Sequence, residues 1–472
     1  FVSGPCTFVP GWCSDDLKEN IRTHTDIQQE RVKHLQSAQS FYMDIANRVV
    51  SRNIVCNVYA CSMDQTGMLE MSSVVQKTNG YLTMHEDYAH ETVSDTLGRI
   101  LKGDEILNTK YCFSMAVKCS REIKVKSCVG NVNAIASKET YANLLTLPEE
   151  FGVSGSSFTT SGIDQHSSFC LLFEVVNPDT NPLPVGRQGI VQIITSYKDT
   201  VGRTYTRVTT ICRLFSNLSQ EGLSKISAGF DQETAAVVLA RCASYKADAE
   251  SGRDAMRWLD RALLRTCNKF GQFRKDEPAS FTLGPNFSIL PQFMYHLRRS
   301  HFLQVFNCSP DETRTFRCAL MRENVVNSLT MIQPTLDCYK VGQEANPVLL
   351  SMQSVESDSI LLLDTFFYLV VFRGEAVVDW MKQKLEEKEE YAGLKLFYQK
   401  PEDDAHELAK DRIPAPRIYV CNRYSGNQRF LMTVLDPAVT PGASQKDIIV
   451  TEDVTLAVFL QHLRRLSVKG GI

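Results

Sequence analysis

The chain has 472 residues, of which 43% are hydrophobic and 22% charged, and its formal net charge is -3. That length exceeds what one hydrophobic core organises and predicts about three or four domains. The near-neutral charge supplies no global basic field for nucleic acid, and no apolar run reaches the roughly 20 residues of a membrane-spanning helix.

In chain order, Phe1-Val2 reads as the tail of a strand whose sheet partners are missing. The sequence is therefore expected to be a fragment that starts inside a domain. Across 26–51, Val32, Leu35, Ala38, Phe41, Tyr42, Ile45, Ala46 and Val49 recur at three- and four-residue spacing. That spacing predicts a helix with one apolar stripe. The short apolar run 54–61 suits a buried parallel strand, and a second helix is expected near 91–102. Strand and helix alternate here in an α/β pattern.

From 111 to 214 the pattern changes to short β-branched segments at 112–119, 122–129, 168–176, 188–197 and 204–214. Gly-, Ser- and Asn-rich stretches, including 152–163, separate them. Strands at this spacing predict a β-sandwich or barrel. Residues 217–333 read as helical, with Asp231 as one cap. Ser309-Pro310-Asp311-Glu312 is a full start signal for a helix expected to run until Pro334.

Residues 335–472 return to an α+β layer. Leu361 to Leu363 and Phe366 to Phe372 predict two buried strands around a turn at Asp364-Thr365. A charged helix is expected at 401–412, and strands at 417–421 and 429–435 flank a polar loop holding Gly426. A last helix is expected from Thr451, with Leu456, Phe459, Leu460, Leu463 and Leu466 facing inward.

The 15 cysteines are odd in number and show no CxxC pair, which argues against a disulfide framework or a cysteine zinc site. Cys56, Cys61, Cys170 and Cys212 occupy apolar strand positions and are expected as small buried hydrophobes in a reducing cytosol. Asn-x-Ser sequons at Asn217, Asn286 and Asn307 read as chance matches. No GxxxxGK[ST] loop or GxSxG elbow occurs. His85 and His90 are five residues apart, a spacing that leaves one helical face. The chain is expected to hold no self-contained active site and no cofactor.

One predicted helix carries Arg253, Arg257, Arg261, Arg265 and Lys269 at four-residue intervals, with Met256, Leu259, Leu263 and Cys267 on its other side. Such a stripe is either a solvated face, partly neutralised by Asp254 and Asp260, or a contact for anionic lipid head groups.

The run PQFMYHLRRS at 291–300, continuing through FLQVFNCSPDET to Thr313, closely resembles the Sec twenty-three family, the inner-layer subunit of the COPII coat. Similar stretches follow in the family's order: FVSGPCT at 1–7, DQTGMLEM at 64–71, SREIKV at 120–125, FEVVN at 173–177, RVTTI at 207–211, FDQE at 230–233, RWLDR at 257–261, LLLDTFF at 361–367 and TEDVTL at 451–456.

The resemblance implies a multidomain α+β chain: the latter part of a von Willebrand A-like α/β trunk (1–110), a β-sandwich (111–215), a helical domain (216–334) and a gelsolin-like domain (335–472). It places the family's zinc finger outside this chain. It implies activation of a Sar-type small GTPase in transport from the endoplasmic reticulum to the Golgi. It also implies pairing with the cargo-binding Sec twenty-four family, recruitment of an outer-coat subunit, and a basic face against an anionic membrane. The family's GTPase-activating arginine aligns with Arg429, separated by eleven residues from Pro414-Ala415-Pro416-Arg417. Arg423 in the same loop is the internal competitor. Tyr424-Ser425 replaces the family's paired glycines, and the loop between Pro437 and Thr451 is shorter than usual. The rival readings are a coat scaffold that binds without activating, and actin binding by the gelsolin-like domain.

Overall fold

The computed structural model describes every residue except 17–20, 103–106, 136–150, 181, 307, 392, 437–453 and 470–472. Asn307 and the Pro437–Thr451 loop therefore lie outside the described residues.

The first module holds α1 (His24–Gln28), α2 (Leu35–Val50), β1 (Val58–Cys61), α3 (Met68–Thr78), β2 (Leu82–His85) and α4 (Glu91–Leu101). β1 and β2 pair in parallel, with Val58 opposite Leu82. Val2 finds its partner within this chain, bridging Ala60. The helix expected over 26–51 is divided. A Thr23–Asp26 capping box closes α1 at its start, and Glu30 turns left-handed at φ 54° before α2 begins. The strand expected from 54 starts only at Val58, because side chains claim the preceding backbone. Cys56 N donates to Thr78 Oγ1 at 3.1 Å, and Asn57 Oδ1 accepts from Tyr81 N at 2.9 Å.

The second module contains β3 (Lys110–Cys119), β4 (Ile123–Val129), β5 (Asn133–Ala134), β6 (Val153–Ser154), β7 (Ser157–Ile163), β8 (Cys170–Val175), β9 (Gln188–Lys198) and β10 (Thr204–Leu214). One sheet has the order β10-β9-β3-β7-β5 and the other β6-β4-β8. Phe113, Met115, Val117, Cys128, Val132 and Phe158 form the core between them. The 152–163 stretch, read as a connection, contains a full strand. Its two threonine hydroxyls are bonded: Thr159 Oγ1 donates to Phe113 O at 2.8 Å, and Oγ1 of the buried Thr160 donates to Lys77 O at 3.4 Å. Of the four cysteines expected inside, Cys61 is buried, Cys56 and Cys170 are half-buried, and Cys212 is exposed. Cys212 lies on β10, an edge strand exposed along its whole length.

The third module is built from α5 (Gln220–Ala228), α6 (Gln232–Ala249), α7 (Gly252–Phe270), a β11–β12 hairpin (Gln272–Arg274, Glu277–Thr282), α8 (Leu290–Arg299), α9 (Pro310–Arg322) and α10 (Val325–Ile332). Asp231 caps α6. The Ser309–Glu312 capping box opens α9 as expected. That helix ends at Arg322 rather than running to Pro334. Asn324 takes an extended backbone, and its side chain accepts from Asn327 N to start a new helix.

The fourth module is a five-stranded sheet of order β14-β13-β15-β16-β17: β13 (Thr335–Tyr339), β14 (Asn346–Pro347), β15 (Ile360–Asp364), β16 (Tyr368–Arg373) and β17 (Arg417–Asn422). All pairs are antiparallel except β16–β17. α11 (Glu375–Lys382) and α12 (Gly393–Ala409) fill that parallel crossover. α12 starts well before the expected 401 and runs through Pro401. Its buried positions Leu394, Phe397, Tyr398, Pro401, Ala405 and Ala409 keep helical spacing against the sheet. α13 (Arg429–Met432) is one helical turn. α14 (Leu456–Val468), capped by Thr455, puts Leu463 and Val468 into the third module's core rather than onto the sheet.

Phe366 ties these modules together. It stands at φ 72° in the β15–β16 turn, fully buried in the core of the third module. Asp364 Oδ1 accepts its N–H at 2.8 Å, and Arg412 holds both Asp364 oxygens at 2.5 Å. Phe366→Ala is expected to cost about 3–5 kcal/mol. Chemical unfolding against wild type checks this.

Candidate functional site

The loop from Asn422 to Met432 is shaped by its own short polar side chains. Tyr424 takes φ 67°, the left-handed region that favours glycine. Its N–H donates to Gln428 Oε1 at 2.9 Å, while Ser425 donates to Asn422 O from its N–H at 3.1 Å and from its hydroxyl at 2.7 Å. The chain thus makes the left-handed turn without paired glycines. The strand expected at 429–435 is instead a 3-10 turn (Gly426–Gln428) followed by α13. Leu431 and Leu435, four residues apart, are the fully buried pair beneath it. Arg429 therefore projects from the first residue of a helical turn, not from a strand end.

Arg429 is exposed. Its guanidinium carbon lies 5.1 Å from the Phe430 ring centroid, a cation–π contact. Among the described residues no carboxylate pairs with it. Arg423 differs: its Nη1 lies 3.8 Å from Glu375 Oε2, and its Cζ sits 5.4 Å from the Tyr424 ring.

Beneath Arg429 is an aromatic cluster that sequence reasoning did not single out. Phe430 stacks on Tyr419 with centroids 4.3 Å apart and planes 19° apart. Tyr368 closes the cluster, 5.4 Å from Phe430 and 6.3 Å from Tyr419. Arg417 also lies against Tyr419, its guanidinium carbon 5.1 Å from the ring centroid, and its Nη1 donates to Glu86 Oε2 at 3.0 Å. Glu86 and Arg417 border an open cavity of about 540 Å³ at the junction of the first, third and fourth modules. No local signal pairs residues 331 apart.

His85 ends β2 and His90 caps α4. Thr92 Oγ1 lies 2.9 Å from His90 Nδ1 and 3.3 Å from His85 Nδ1. Burial, aided by the charge of His90, drops the His85 pKa to about 4.

The basic stripe lies on α7. Arg253, Arg257, Arg261, Arg265 and Lys269 are all exposed, opposite buried Leu259, Leu263 and Cys267. Asp254 pairs with Arg257 at 3.5 Å. Asp260 instead pairs with Arg298 of α8. One of the two acidic neighbours is thus engaged away from the stripe. No described helix is long and apolar enough to cross a membrane.

Comparison with known proteins matches the modules in order. The Sec23/Sec24 trunk domain matches residues 1–102, the Sec23/Sec24 beta-sandwich domain 110–216, and the Sec23/Sec24 helical domain 231–330. A gelsolin repeat matches 341–431. Among solved structures, that of the human COPII-coat protein Sec24c is similar over 98% of this chain, with a TM-score of 0.72 at 13% identity. This chain spans 58% of that one.

Proposed function

This chain belongs to the Sec23/Sec24 family, and from that membership we propose that it is a COPII coat subunit that stimulates GTP hydrolysis by a Sar-type small GTPase. Arg429 is the group supplied in trans. The observation that carries this reading is the state of Arg429: exposed, projecting from the gelsolin-like module, and lying over an aromatic ring with no carboxylate partner among the described residues. Its rival Arg423 is already paired.

Phosphoryl transfer spreads negative charge over the γ-phosphate oxygens, and catalysis is mostly positioning and electrostatic stabilisation. A guanidinium remains charged at cellular pH and offers five donors in a planar fork. It can meet two oxygens at once. The rigid aromatic base reduces the freedom lost when it does so. The chain then completes another protein's active site and needs none of its own. Phosphate release by a Sar-type GTPase, measured with the wild-type chain and with Arg429→Ala, tests the proposal. Equal rates would end it.

A second reading is a coat scaffold or adaptor that binds the GTPase and sister subunit without activating hydrolysis. The fold-level likeness to Sec24c supports it. Binding without stimulation by wild type would favour it.

The sister cargo-binding subunit and an outer-coat subunit are proposed partners at the cytoplasmic face of the endoplasmic reticulum. The α7 stripe is proposed to face anionic lipid, at about 1 kcal/mol per basic residue near the surface. The Arg257/Arg261/Arg265→Gln variant is expected to lose most flotation with acidic liposomes. Neutral liposomes should be indifferent to the change. Equal flotation of variant and wild type on acidic liposomes would refute lipid contact there.

A further inference from the structure

We propose that Glu86 is a positioning residue for Arg429, acting across the module boundary through Arg417, Tyr419 and Phe430. This rests on the reading of Arg429 as the activating group.

The path is contiguous. Glu86 follows β2 in the first module, and its Oε2 accepts from Arg417 Nη1 at 3.0 Å. Arg417 and Tyr419 are two apart on β17, so they share one face of the strand. The guanidinium lies over the tyrosine ring at 5.1 Å. Tyr419 stacks on Phe430 at 4.3 Å, and Arg429 lies over Phe430 at 5.1 Å. The Tyr368 hydroxyl donates to Phe430 O at 3.4 Å, fixing the backbone beside Arg429. Two cations thus contact one aromatic pair, and Glu86 pairs with one of them. Without it, Arg417 can leave the Tyr419 face, and its charge is uncompensated near Arg429.

Holding the modules together does not require this pair. Arg99 Nη1 donates to Ala409 O at 2.6 Å and to Arg412 O at 2.7 Å, and Ala415 N donates to Thr96 Oγ1 at 2.9 Å. Ile413 is buried against Tyr81 and Leu107. The Glu86–Arg417 pair is solvent-exposed by comparison, with side chains 73% and 39% accessible. Exposed pairs add little to stability, so its effect should appear in the placement of Arg429.

The test is single-turnover GTP hydrolysis by a Sar-type GTPase, titrated with wild type, Glu86→Gln, the swap Glu86→Arg/Arg417→Glu, and Arg429→Ala. Glu86→Gln is expected to lower the saturating rate about two- to five-fold, equivalent to about 0.4–1 kcal/mol. The half-saturating concentration should stay unchanged. The swap should remain impaired, because a glutamate at 417 restores the ion pair but has no cation to lay on Tyr419. Full recovery by the swap would show a simple staple and overturn the proposal. So would an unchanged saturating rate in Glu86→Gln. A change only in half-saturation would also overturn it, since Glu86 would then meet the GTPase directly. Loss of stimulation in Arg429→Ala beside a normal Glu86→Gln rate would sink the positioning role alone. Absent stimulation by wild type, or an unaffected Arg429→Ala, would sink the functional reading and this one with it.

Discussion

On the proposed function, Arg429→Ala is expected to cut stimulated GTP hydrolysis by about 10³–10⁵-fold, the range for an arginine supplied in trans. GTPase binding should be largely retained. The separation follows from where the side chain acts. A guanidinium that neutralises charge developing on the γ-phosphate is worth most in the transition state, so its loss falls on the rate and not on affinity. Arg429→Lys should recover little, because an ammonium is a point charge without the planar fork. Arg423→Ala should stay close to wild type, since that side chain is engaged with Glu375. Phosphate release at saturating concentration, beside a direct binding titration, distinguishes these outcomes. Loss of activity in Arg423→Ala with a normal Arg429→Ala would reverse the assignment.

Asp311→Ala is expected to destabilise the fold by about 3–5 kcal/mol, the cost of removing one partner from a buried ion pair. The N-cap residue of α3 is Gly67, which has no side chain with which to cap it. The cap comes from another module. Asp311 Oδ2 accepts from Thr66 N at 2.8 Å and Gly67 N at 2.9 Å, and its Oδ1 accepts from Leu69 N at 3.0 Å. Arg22 Nη2 completes the set, 2.5 Å from Asp311 Oδ1 and 2.6 Å from Glu70 Oε2. All three side chains are buried. Removing Asp311 would leave three backbone donors and a guanidinium short of acceptors. Urea unfolding followed by circular dichroism measures the loss, and a change below about 1 kcal/mol would show that water replaces the carboxylate.

The same cluster gives a pH signature. Burial lifts the Glu70 carboxyl to about 7, with Arg22 opposing the shift and Asp311 reinforcing it. A folded-state pKa above the unfolded value means the native state binds more protons in between. Glu70's contribution is therefore complete below the ordinary carboxylate range and lost as pH rises through about 7. Asp311 runs the other way. Burial would raise it, but Arg22 and the backbone donors hold it below its usual value, so its contribution is lost on acidification. Glu70→Gln should accordingly gain stability relative to wild type between pH 5.5 and 8. A difference that is flat with pH would show that Glu70 is ionised throughout.

Features set within a few residues were legible in the sequence. The capping box at Ser309 needs only a hydroxyl, a carboxylate and three-residue spacing. The Asp231 cap and the two apolar runs that became β15 and β16 are equally local. So is the α7 stripe, whose period of four already separates its basic and apolar sides. The resemblance, not the periodicity, pointed to Arg429.

Structure that depends on distant partners was not legible. The Ser- and Thr-rich β7 looks like a connection until its neighbours bond its threonine hydroxyls. The Phe430–Leu435 stretch is apolar on both alternating faces, which reads as a strand; burial of Leu431 and Leu435 selected the helical turn beneath Arg429. Propensity and spacing belong to neighbours in the chain, so the sequence by itself determined the module types, the caps and the charged face of α7. Which carboxylate caps α3, which core receives Phe366 and α14, and which arginine is left without a carboxylate partner among the described residues were decided by tertiary packing. Each of those outcomes is a competition among groups far apart in sequence, settled by distance and burial in the folded chain.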